Sequence, residues 1–184
     1  MAITTYTAGE VLTAASLNNN FASGGLQLVK SQTIGSGVSS VTVTGAFSTT
    51  YDAYKIVISG GVASTDTDLQ LSLGATAAGY YAGYSRVTYS TGAAATASNN
   101  AASSWTRGGS GTTDVLYSHV DLINPFLTKR TIINGFTAFA GATFSGGAIG
   151  GFLDNATSYT AFTYTVASGT ITGGTIRVYG YVNS

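Results

Sequence analysis

The single histidine, His119, sits in "VLYSHVDLI" with Tyr117 and Asp121 two residues to either side, so in an extended chain all three share one face. A histidine beside a carboxylate invites a Ser-His-Asp reading, in which the imidazole takes a hydroxyl proton and the carboxylate orients it. That chemistry needs a nucleophile and an oxyanion site from other strands, and no G-x-S-x-G elbow occurs. The triplet reads instead as the polar face of a strand. Asp66 and Asp68 in "STDTDLQ" have the spacing to share a hard cation, but no third carboxylate adjoins them and the twelve-residue calcium loop is missing. They read as a solvated turn whose carboxylates accept backbone N–H bonds. One Glu and six Asp are a thin supply for the paired carboxylates of glycoside hydrolysis. A polysaccharide-binding or depolymerising enzyme is thus the distant alternative, and no catalytic residue, metal or cofactor is assigned.

Tyr80, Tyr81, Tyr84 and Tyr89 cluster with Arg86 in "GYYAGYSRVTY", and Trp105 and Arg107 follow. Three roles suit such residues. Tyr and Arg are enriched at subunit interfaces, Tyr packs well on a pleated surface, and aromatic faces beside a guanidinium bind sugars. The charged fraction is only 8%, against a typical roughly 25%, with seven acids cancelling seven bases, which puts the interface first, fold packing second and host-surface glycan third. The same balance gives no basic patch for nucleic acid, and Lys129-Arg130 in "NPFLTKR" is too short to make one. Near-zero net charge favours association, so the chain reads as one that assembles by design.

The elements that must position these residues are strands. After Gly24-Gly25 the apolar period is two, with β-branched and aromatic residues separated by Gly, Ser and Asn. Strands are predicted near 26–34, 38–44, 54–59, 69–73, 80–89, 115–123, 131–139, 159–166 and 175–182, with weaker ones around Trp105 and 144–152. In "TIRVYGYV" Ile176, Val178 and Gly180 face one way and Arg177, Tyr179 and Tyr181 the other. "YKIVIS" is apolar without a break, which predicts a strand covered on both sides. Pro125 ends the strand before it and predicts an extended Asn124. Ser90 to Ser104 is small and uncharged with no apolar face, and is predicted to be a loop. Strand after strand without a helical period predicts an all-β chain, an antiparallel β-sandwich over 26–184.

The first 25 residues differ. In "TYTAGEVLTAASLNNNFASGG", Thr7 and Glu10 have the T-x-x-E spacing of a capping box and Thr13 is a second N-cap position. Leu17 and Phe21 stand one helical turn apart on one face, and Gly24-Gly25 ends the segment. A helix of about ten residues is too short to be stable alone, so it must dock. "MAITTY" lacks the features of a signal peptide, and no apolar run approaches the roughly 20 residues that span a bilayer, so the expectation is a soluble chain without membrane insertion.

"YTAGEVLTAASLNNNFA" at the front and "GTIRVYGYV" at the back resemble small tailed-bacteriophage virion proteins, whose fibre and appendage chains begin with a similar G-E-x-L-T-A-x-x-L-N-x-x-F segment and close on a similar strand. The resemblance covers about 20 residues at one end and nine at the other. It implies a homotrimer in the virion, an N-terminal segment that docks on other virion proteins through Thr7, Glu10, Leu12, Leu17 and Phe21, and a jelly-roll-like domain displayed beyond it. A tail-fibre or appendage protein is the first expectation. A capsid decoration protein that stabilises the head is the second.

Overall fold

The computed structural model describes residues 7–11, 13, 14, 25–139 and 144–183. Fourteen strands run through them, beginning at Leu26 where the period-two pattern begins. They are β1 (Leu26–Thr33), β2 (Ser40–Val43), β3 (Ala53–Ser59), β4 (Val62–Ala63), β5 (Thr67–Leu73), β6 (Tyr80–Thr88) and β7 (Ala94–Ala102). The second half adds β8 (Trp105–Gly111), β9 (Leu116–Ile123), β10 (Thr131–Phe139), β11 (Ser145–Leu153), β12 (Phe162–Val166), β13 (Ile171–Thr172) and β14 (Thr175–Tyr181). Twelve of them form one antiparallel sheet along the path β2-β12-β5-β8-β9-β10-β11-β6-β7, with β3, β14 and β1 branching in turn from β9. The short β4 and β13 pair with each other.

Strand β9 is the junction. Ser118 to Ile123 pair with β3, His119 to Ile123 also pair with β10, and Leu116 and Tyr117 pair with β8. Alternation explains which side chains go inward: Thr67, Leu69, Leu71 and Leu73 of β5 are all buried while the residues between them are half-exposed. The buried residues of β5, β12 and β8 form one cluster with those of β3, β14, β9, β10, β11 and β6. Phe47, in the loop after β2, links them by packing on both Phe162 of β12 and Tyr54 of β3.

Several expectations are corrected. Ser90 to Ser104 is not a loop, because it contains β7. Little of β7 is buried; a hairpin turn closed by Thr88 and Ala93 returns the chain onto β6, and the backbone ladder then holds it. Apolar periodicity cannot announce a strand stabilised in this way. Strand β3 is fully buried on one side only, with Lys55 and Val57 half-exposed on the other. Asn124 does end β9, but at φ +63° rather than extended, a conformation Asn tolerates better than most residues.

At the N-terminus, Thr7 and Glu10 close a turn rather than open a helix. The Glu10 N–H donates to the Thr7 carbonyl at 3.1 Å around Gly9 at φ +92°, and the Glu10 carboxylate accepts from the Thr7 N–H at 3.1 Å and the Thr7 hydroxyl at 3.4 Å. Only the reach of Glu10 back to the Thr7 N–H survives from the capping box, since the Thr7 hydroxyl donates where a cap would accept. Ala14, directly after Thr13, is helical. Leu12, Leu17 and Phe21 lie outside the described residues.

Candidate functional site

Strand β6 divides the tyrosine cluster in two. Side chains alternate across a strand, so Tyr80 and Tyr84 go to one face and Tyr81 to the other. Tyr80 and Trp105 are fully buried against each other, ring edge to ring face at 4.9 Å. The Tyr80 oxygen accepts the Leu73 N–H at 2.7 Å, and burial pushes its hydroxyl pKa up to about 12. Tyr84 is also buried, donates to Asn99 Oδ1 and carries the Arg107 guanidinium 5.5 Å from its ring centre. These three are therefore core residues, not surface contacts.

Arg107 turns to Asp68 at 3.5 Å. Burial raises the Asp68 carboxyl above its ordinary pKa, an effect that Arg107 and then Arg86 only partly offset. The Asp68 expected in a solvated turn is thus a half-buried β5 residue serving two arginines. Of the seven residues assigned to contact, Tyr81 and Tyr89 are the aromatics that remain outside.

The outward face of the sheet carries three features. At one end Phe136 of β10 is 65% exposed, Phe144 before β11 60% and Tyr89 after β6 63%, with Val87 exposed between them. Cross-strand register joins them: Phe136 pairs with Ala148 on β11, and Val87 with Gly146, over which the Tyr89 ring lies. Beside this patch β7 forms a sheet edge, pairing among the described residues with β6 alone. Its nine residues, "AATASNNAA", contain no charge and no proline. The other edges are blunted. Strand β1 carries Lys30 and β2 has four residues; β7 has neither charge nor brevity, and its one irregularity is a register shift near its end, where Tyr80 and Ala82 pair with Ala102 and Asn99.

In the middle of the same face, Lys55 Nζ lies 2.9 Å from Asp121 Oδ1 and 3.1 Å from His119 Nε2, and the Tyr181 hydroxyl donates to Asp121 at 2.7 Å. Burial alone would lower the Lys55 pKa, but hydrogen bonds and attraction from Asp121 and Tyr181 hold it above the ordinary lysine value. His119 accepts from the ammonium through Nε2, so the position a catalytic base would need is occupied by Lys55. Asp121 engages Lys55 and Tyr181 rather than orienting the imidazole. Ser118 points to the opposite, buried face. The strand-face reading of Tyr117, His119 and Asp121 agrees with this geometry, and among the described residues no three His, Asp or Glu gather to hold a metal ion.

At the far end of the face, Tyr81 stacks on Phe152 of β11 with ring centres 5.1 Å apart and planes 15° apart. Beside them Arg130 Nε and Nη2 both reach Asp154 Oδ1 at 2.7 Å. Sequence reasoning found Tyr81 but passed over Phe152 and Asp154. Their signal is weak, since β11 is rich in glycine and only cross-strand register shows that Phe152 meets Tyr81. Comparison with protein-family models, curated proteins and solved structures gives no match.

Proposed function

We propose that the protein is a non-enzymatic structural component of a tailed-bacteriophage particle, a homotrimeric tail-fibre or appendage protein that docks by residues 1–25 and displays a jelly-roll-like β-sandwich. The observation that carries the self-assembling part is the uncharged edge β7 beside the outward patch of Val87, Tyr89, Phe136 and Phe144. A long edge without charge or proline pairs readily with another chain; monomeric proteins guard such edges with charge, proline, bulges or cover, and β7 has only the register shift near Ala101, which leaves Ala94 to Asn99 regular. Apolar side chains grouped at one place on a surface mark an interaction site. A neutral chain with 8% charged residues tolerates having that surface covered permanently. The assignment to a phage particle rests on the terminal segments "YTAGEVLTAASLNNNFA" and "GTIRVYGYV". The sandwich reading is supported by the single buried cluster shared between the β2-β12-β5-β8 run and the strands that follow β9.

Immunogold labelling of purified particles tests the placement. Gold at the tail supports the fibre reading, gold on the head supports the decoration reading, and unlabelled particles overturn both. A depolymerase would release oligosaccharide from host envelope material, and the proposal expects none.

A further inference from the structure

We infer that the groove formed by the Tyr81–Phe152 stack and the Arg130–Asp154 pair binds an acidic saccharide, a sugar unit bearing a carboxylate. Two hollows meet at Arg130 and Asp154. One, of about 680 Å³, is lined by Lys129, Asn124 and Asn155; the other, of about 400 Å³, is bounded by Tyr81 and Phe152. The combination matches what a sugar requires, an apolar ring face for its C–H surface and a few fixed polar groups for its hydroxyls.

The charge favours an acid. Lys129 and Arg130 face the one carboxylate of Asp154, and Lys129 has no carboxylate partner among the described residues. Arg130 commits Nε and Nη2 to Asp154, which leaves Nη1 and its two N–H donors for a ligand. A carboxylated sugar placed there gains charge-assisted hydrogen bonds.

The walls are held before any ligand arrives. Asn155 Nδ2 donates to the Tyr159 hydroxyl at 2.8 Å, its Oδ1 accepts the Thr157 N–H at 3.1 Å, and Tyr159 meets the Thr76 hydroxyl at 2.7 Å. Asn124 is fixed as well, its N–H donating to the Asp52 carbonyl at 2.7 Å. On the other flank of the rings, Gly83 and Gly150 pair directly across β6 and β11 with open space above both, so the flank of the stack is unobstructed. The groove lies at the opposite end of β6, β10 and β11 from Phe136, Val87 and Phe144, so covering that patch leaves it open. The inference deepens the fibre reading by naming what the displayed domain would touch, and it rests on that reading only for where the sugar is met.

The test is titration calorimetry of the full chain with a galacturonic acid oligomer and with the neutral galactose oligomer of equal length. The acidic oligomer is expected to bind at least about tenfold more tightly. Phe152→Ala is expected to weaken both oligomers, whereas Lys129→Ala weakens the acidic one by at least about fivefold and leaves the neutral one unchanged. Lys129 is exposed and makes no buried contact, so its variant folds even if Phe152→Ala does not. Binding of neither oligomer, equal binding of both, or acidic binding indifferent to Lys129→Ala overturns the inference. Light scattering on the same samples separates the two ideas: a trimer that binds no sugar contradicts the groove alone, and a sugar-binding monomer contradicts the assembly alone.

Discussion

Tyr164 of β12 and Ser118 of β9 meet hydroxyl to hydroxyl at 2.6 Å in the buried core. The Ser118 hydroxyl also donates to the Gly108 carbonyl at 2.7 Å, so its one hydrogen is committed and Tyr164 is the donor between the two. The consecutive strands β8 and β9 are thereby tied at one point to β12, about 46 residues further along the chain. Tyr164→Phe removes one buried bond and is expected to cost about 1 kcal/mol. Ser118→Ala leaves Tyr164 only the longer 3.3 Å contact to Gly108, and is expected to cost more, about 2 kcal/mol. Denaturant unfolding of the two variants checks both the size and the order.

Alkaline pH should unfold the protein. Burial raises the Tyr80 hydroxyl pKa from 10.0 to about 12 and raises that of Tyr164 further. A raised folded pKa contributes stability that is fully present below the unfolded value and lost as pH rises through the folded one. Stability is therefore expected to be level with respect to these groups up to about pH 9, and to fall between about pH 10 and pH 12 by roughly 2 kcal/mol for Tyr80 alone. Unfolding midpoints at pH 8 and pH 11 measure the loss, which Tyr80→Phe should reduce. A midpoint unchanged at pH 11 would contradict the burial of both tyrosines.

Two glycines of β11 should answer in opposite ways to alanine. A Cβ on Gly147 would lie 1.8 Å from the Ser85 carbonyl oxygen, a backbone atom of the paired strand, whereas one on Gly150 meets nothing within 4 Å. Gly147→Ala must push β6 from β11 and is expected to cost about 2 kcal/mol or more. Gly150→Ala stiffens the unfolded chain at no steric cost and is expected to be neutral or to gain about 0.5 kcal/mol. Thermal unfolding of the pair tests the register of β6 on β11.

Thr131 is fully buried and its hydroxyl has no hydrogen-bond partner. Replacing it with the near-isosteric Val removes an unsatisfied polar group while keeping the shape. Thr131→Val is expected to stabilise the protein by about 1 kcal/mol, read as a raised unfolding midpoint.

Much of the architecture is legible in the sequence because its core strands alternate. Leu69, Leu71 and Leu73 declare β5, and Ile176 and Val178 declare the inner face of β14. What alternation cannot show is a strand without apolar residues: β7 exists because a hairpin lays its backbone along β6 and Asn99 accepts hydrogen bonds from Tyr84 and the Thr106 backbone. The surface site is less legible for a related reason. Counting tyrosines brought Tyr80, Tyr84 and Trp105 forward together with Tyr81, but only strand parity separates the buried from the exposed. Phe152, Arg130 and Asp154 come together through the β10–β11 and β11–β6 registers, and no local motif marks them. At the N-terminus the T-x-x-E spacing is real, yet Gly9 at positive φ turns the chain where a helix would have begun.

Self-association is expected to run through the β7 edge and the Phe136 patch. Light scattering with size exclusion measures it directly on the wild type and on Phe136→Arg, a change of an exposed side chain that leaves the core untouched. The wild type is expected at about 56 kDa, three copies of the 18.6 kDa chain, and Phe136→Arg at the mass of one chain with an unchanged unfolding midpoint at low concentration. A wild type that runs as a single chain, or a Phe136→Arg variant that remains trimeric, would contradict it.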